Sequence, residues 1–89
     1  MLKVSVRSME SQNGNNVPNQ FIIDTDDGIY FQSYRTVIAL KQNGKIYLDK
    51  NSWDYSRTTG KYRNQFLNEN KAETERKIKS GEYELIDLN

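Results

Sequence analysis

The sequence predicts a single small α+β domain over residues 1–89. Its expected architecture is a mostly antiparallel sheet of about five strands, flat or curled into a small open barrel, with two short helices before the last strand. Three observations carry that prediction. Up to Leu48 the apolar residues fall into short runs divided by Asp-Gly and Asn-Gly pairs. After Trp53 the apolar spacing becomes helical, and after Gly81 it returns to that of a strand.

Leu2, Val4 and Val6 alternate with Lys3, Ser5 and Arg7, the period-two pattern of a half-buried strand. Glu10 to Asn19 is polar and reads as an exposed connection. Gln20 to Thr25, carrying Phe21-Ile22-Ile23, is the second strand, and Asp26-Asp27-Gly28 is a tight turn in which glycine is expected to supply a positive φ. Ile29 to Gln42 is long for one strand, so a bend or break is expected near Ser33 to Arg35. Asn43-Gly44 then predicts a type I′ hairpin that pairs Leu40 with Tyr47 and Lys41 with Ile46.

Tyr55, Tyr62, Phe66 and Leu67 lie near helical spacing, with Ser56, Thr58 or Thr59 as the N-cap, although Gly60 weakens that helix by about 1 kcal/mol. The second helix is better marked. Asn70 caps it, Glu73 occupies the capping-box position, Gly81 ends it, and Glu73–Lys77 and Glu75–Lys79 have ion-pair spacing. From Ala72 to Ser80 only Ala72 and Ile78 are apolar, so this helix should sit lightly on the sheet. Tyr83 to Leu88 closes the chain as a strand.

Composition narrows the chemistry. The chain has no cysteine and no histidine. Thiolate catalysis and disulfides are thereby removed, along with the commonest general base and the commonest zinc ligands. Asp24 to Gly28 fails the EF-hand rule, because glycine falls at the fifth place and Arg35 at the twelfth. Asp49 and Asp54 flank Trp53, but their spacing does not require an acid–base site, and the chain has no P-loop or nucleophile elbow. A non-enzymatic protein without metal or cofactor is expected. No run approaches the ~18 apolar residues of a membrane span, and the opening residues lack a signal-peptide core, so a soluble cytoplasmic protein is expected.

The net charge of +1 hides a division along the chain. Residues 1–34 carry two cations and four acids; residues 64–89 carry four cations and six acids. Between them Arg35, Lys41, Lys45, Lys50, Arg57, Lys61 and Arg63 face only Asp49 and Asp54, a net +5. That block contains the least generic stretch, Trp53 to Phe66, where four aromatics and three cations stand among hydroxyl and amide side chains.

Several tracts resemble a family of small phage and prophage proteins of unknown function. They are Asn19-Gln20-Phe21-Ile22-Ile23, Gly28 to Tyr34, Trp53 to Leu67, and Gly81-Glu82-Tyr83-Glu84-Leu85. The likeness spans roughly residues 17–89 and is most specific at Trp53 to Phe66. It implies a viral or prophage gene product acting in the host bacterial cytoplasm, and it brings no functional residues with it.

Two readings of the Trp53 to Phe66 tract stay open at this level. In one, Trp53, Tyr55 and Tyr62 stack on bases while Arg57, Lys61 and Arg63 follow phosphates, with Arg35 adding to the basic surface. In the other, Trp53, Tyr62 and Phe66 pack the helix onto the sheet and the cations are a solvated face. Helical spacing favours Tyr62 and Phe66 as core, which leaves Trp53, Tyr55, Arg57, Lys61, Arg63 and Arg35 as the candidate surface. Tyr30, Gln32 and Tyr34 share a strand face and are either a partner-binding strip or cross-strand packing. The expected function is binding of single-stranded DNA or RNA. The alternative is a protein-binding inhibitor or modulator of a host machine such as a bacterial defence complex, and the third reading is a minor virion component. A homodimer through an edge strand such as Leu2 to Arg7 is a further expectation.

Overall fold

A computed structural model describes residues 3–89. Its elements run β1 (Val4–Glu10), β2 (Asn16–Thr25), β3 (Ile29–Ser33), β4 (Thr36–Gln42), β5 (Lys45–Asp49), α1 (Arg57–Leu67), α2 (Lys71–Ser80) and β6 (Tyr83–Ile86). The strands form one sheet in the order β1-β2-β3-β4-β5-β6, antiparallel except that β6 runs parallel to β5. The α+β class is as predicted. The sheet is open, with β1 and β6 as its edges, and it does not close into a barrel.

Six strands replace the expected five because Ile29 to Gln42 is a hairpin. Tyr34 sits at φ 56° between β3 and β4, at the place where the break was expected. A bulge sets Gln32 against Val37 directly after the Phe31–Ala39 pair, so that Ile38 joins Ala39 in the core. At Asn43-Gly44 both φ angles are positive, at 52° and 78°, and Leu40 pairs with Tyr47 and Lys41 with Ile46 as predicted.

Several details differ from the sequence reading, and the last strand ends at Ile86 rather than Leu88. The first strand begins at Val4 and reaches Glu10; Leu2 lies outside the described residues. Asn16 to Asn19, expected in a loop, extends β2 past a register shift between Ser8 and Glu10. Gly28 is not in the left-handed region. Its turn needs glycine for a different reason: a Cβ there would stand 2.7 Å from the Lys41 carbonyl oxygen and 2.8 Å from Leu40.

The core lies on one face of the sheet. Ile22, Phe31, Ala39 and Leu48 pack there against Tyr62, Phe66 and Leu67 of α1, and Ile78 of α2 packs on the same cluster. Both helices therefore cover that face. Phe31 and Phe66 stack at 5.7 Å between ring centroids.

Candidate nucleic-acid interface

The N-terminus of α1 organises the site. Ser56 is the N-cap, and its hydroxyl accepts the Thr59 backbone N–H at 3.1 Å. Thr59 is buried and shares a 2.9 Å hydrogen bond with Ser33 of β3, which ties the helix start to the β3–β4 turn. Tyr55 precedes the cap and is 74% exposed, while Tyr34, at the tip of that turn, is 53% exposed.

Two clefts meet at Ser56. One, of about 600 Å³, is lined by Tyr34, Arg35, Tyr55, Ser56 and Thr58 among others. The second, also about 600 Å³, holds Arg57, Lys61, Lys71, Asp54 and the edge of Arg63. Arg35 and Tyr55 thus share one cleft, and Arg57 and Lys61 the other. No helix among the described residues is long and apolar enough to cross a membrane.

The remaining candidates are placed differently. Arg63 is only 1% exposed and is not part of the solvent-facing cationic surface. Its Nη1 donates to the Trp53 carbonyl at 2.9 Å and to Asp54 at 3.1 Å, and its Nη2 donates to Asn64 at 2.8 Å. The guanidinium also lies 5.2 Å from the Trp53 ring centroid, so Trp53 is half-buried against it and packs on the core. Tyr62 and Phe66 are buried, as their spacing indicated. The clue to Arg63 was also in that spacing. Thr59, Tyr62, Arg63, Phe66 and Leu67 form a single buried stripe on α1.

Two more residues matter to the electrostatics. Lys71 closes on Asp54 at 2.7 Å. Burial pushes the Asp54 carboxyl up, but Lys71 and Arg63 outweigh it and hold that carboxyl below its ordinary range. Lys41, counted in the basic block, turns inward instead. Its ammonium donates to the Phe66 carbonyl at 2.7 Å over the Phe66 ring, and burial lowers its pKa. Among the described residues, the cations beside the two clefts without a carboxylate partner are Arg35, Arg57 and Lys61, all exposed, with the Lys61 ammonium 5.4 Å from the Tyr62 ring centroid.

Residues 4–82 match the family model described as "Family of unknown function (DUF8033)". The chain belongs to that family. The match takes in β1, both helices and the whole of both clefts. No curated protein and no solved structure matches the chain.

Proposed function

We propose that this protein is a non-enzymatic accessory module that holds single-stranded DNA or RNA along the two clefts around the start of α1. The observation that carries the reading is the meeting of exposed tyrosines and unpaired cations at one place. Tyr34, Arg35 and Tyr55 line one side of Ser56, and Arg57 and Lys61 line the other. Exposed phenol rings offer stacking worth ~1–3 kcal/mol per base, and the cations offer phosphate contacts. The N-terminus of α1 adds backbone dipole of the sign that favours phosphate. The phage or prophage origin and the bacterial host cytoplasm belong to this proposal through the resemblance of its tracts alone.

Fluorescence anisotropy with short labelled single-stranded oligonucleotides tests it. Three phosphate contacts give a log–log salt slope of about −2, so Kd is expected to rise roughly twentyfold between 50 and 200 mM salt. Arg57→Ala with Lys61→Ala is expected to abolish measurable binding while leaving the circular dichroism spectrum unchanged. Tyr55→Ala is expected to weaken it by about tenfold or more, the loss of one stacked base. Failure to retain either DNA or RNA at low ionic strength would sink the reading. A host protein captured in a nuclease-resistant complex would then support the modulator instead, and detection in purified particles the virion component.

A further inference from the structure

One broad face of this sheet carries no helix, and an apolar row crosses it between polar flanks. Cross-strand partners share a face, and the register places Val6, Ile23, Tyr30, Leu40 and Tyr47 in one row opposite the row of Ile22, Phe31, Ala39 and Leu48. The second row packs under the helices. The first stands outside the helix-covered core: Val6 is exposed, Ile23, Tyr30 and Tyr47 are half-buried, Leu40 is buried, and Glu84 of β6 ends the row.

Strand β1 makes the mismatch explicit. Val4 and Val6 are each 59% exposed on the bare face, whereas Ser5 and Arg7 point to the helix-covered side. Its apolar half therefore turns away from the core formed by the described residues. The other strands repeat the pattern. Phe21-Ile22-Ile23, Ile29-Tyr30-Phe31 and Ile46-Tyr47-Leu48 put apolar residues on both faces, the composition of strands covered on both sides.

We infer that this bare face is covered by a second copy of the chain, packed sheet to sheet about a two-fold axis. The dimensions fit. The molecule measures 34 × 32 × 20 Å, and its short axis holds one sheet and one helical layer, with the bare side lying across the two long axes. That side has an outline of roughly 1,000 Å², against about 800 Å² that each partner contributes to a standard stable interface. The row runs through five adjacent strands without a charge, and the charges that flank it on this face, Lys45 of β5 and Glu84 of β6, are of opposite sign, so it opposes a copy of itself without burying like charges along the row. Among the described residues of the six strands, Lys45 is the one cation on that face, too few for a nucleic acid held by several phosphate contacts. The two helical layers would face outward, leaving the clefts around Ser56 open on both subunits.

Sedimentation equilibrium on the full chain, from low micromolar to hundreds of micromolar, tests the inference. The expected mass is twice the 10.4 kDa of one chain. Val6→Glu sets two like charges into the apolar layer and is expected to weaken association by roughly a hundredfold or more. Ser5→Glu, on the opposite side of the same strand, is expected to leave it unchanged. Val6 is exposed in the single chain, so its substitution should preserve the fold, checked by circular dichroism. Hydroxyl-radical footprinting of wild type gives a reading that needs no variant: Tyr30 and Tyr47 should become protected as the mass doubles. A wild-type mass that stays at one chain overturns the inference, as does a dimer that Val6→Glu leaves intact or that forms without protecting Tyr30 and Tyr47.

Discussion

Arg63 shows how one side chain can change the meaning of a charged segment. It stands in the basic block by sequence, yet its hydrogen bonds tie Trp53 and Asp54, in the segment before α1, to the helix itself, where it also bonds Asn64. Removing it leaves the half-buried Trp53 carbonyl and Asn64 amide oxygen without this donor, while Asp54 keeps Lys71. Arg63→Met is therefore expected to cost about 2–3 kcal/mol in urea unfolding, while Arg57→Ala, at an exposed position, should stay within about 0.5 kcal/mol. A neighbouring position predicts the opposite sign. Gly60 lies inside α1 without a positive φ, and a Cβ there would meet Arg63 at an ordinary 3.6 Å. Gly60→Ala is expected to stabilise the protein by about 0.5–1 kcal/mol on the same unfolding curves. The sequence could show that residue 63 falls on a buried stripe. It could not show which acceptors would receive the guanidinium, because the Trp53 carbonyl and Asp54 reach it only through the turn before Ser56.

At the scale of elements, α2 and β6 are joined by one polar strap. The Glu69 carboxylate, beside the start of α2, accepts hydrogen bonds from Lys77 at 2.8 Å, Tyr83 at 2.7 Å and Thr74. Burial raises its pKa, but these three donors outweigh burial and hold it below its ordinary 4.5. A depressed carboxyl contributes stability that is present above the unfolded pKa and is lost as pH falls through the folded value. Glu69→Gln is thus expected to cost about 1–3 kcal/mol near neutral pH and to flatten the acid limb below about pH 4.5 in urea titrations. Asp49 and Asp54, also held low, should preserve the remainder of that limb. The alkaline side carries the reverse sign. The bond to Glu69 raises Lys77 to about 12, while burial and then Glu69 raise Tyr83 to about 12. Their contribution is complete below pH 10 and is lost as pH rises through about 12. Capping made α2 legible in advance: Asn70, Glu73 and Gly81 hold the places their chemistry indicated. The partner of Lys77 was not legible. Spacing along the helix pointed to Glu73, but Glu73 serves the capping box and Lys77 turns to Glu69.

For the molecule as a whole, hairpin chemistry made β4 and β5 readable, because Asn43-Gly44 fixes both turn and register locally, whereas the turn at Tyr34 that separates β3 from β4 was legible only as a bend. The placement of β6 was not readable. It is set by a crossover through two helices and by distant contacts: Asp49 accepts the Leu88 N–H at 2.9 Å, and the Asn89 side chain bonds the Val37 backbone at 2.8 and 2.9 Å. The open sheet also means that alternation alone misassigns a side. Val4 and Val6 read as core-facing and instead lie on the face away from the helices. That geometry puts the proposed nucleic-acid clefts and the proposed dimer face on opposite sides of a molecule 20 Å thick. Substitutions so far apart, without shared partners, should act additively. Val6→Glu is accordingly expected to leave the Kd for an oligonucleotide shorter than the span between two outward-facing clefts unchanged within about twofold, while lowering the apparent affinity for a strand long enough to engage both subunits. Anisotropy with a short and a long oligonucleotide on both proteins distinguishes the cases. Equal losses for the two lengths would mean that the faces are coupled and that the single-chain cleft is not the complete binding unit.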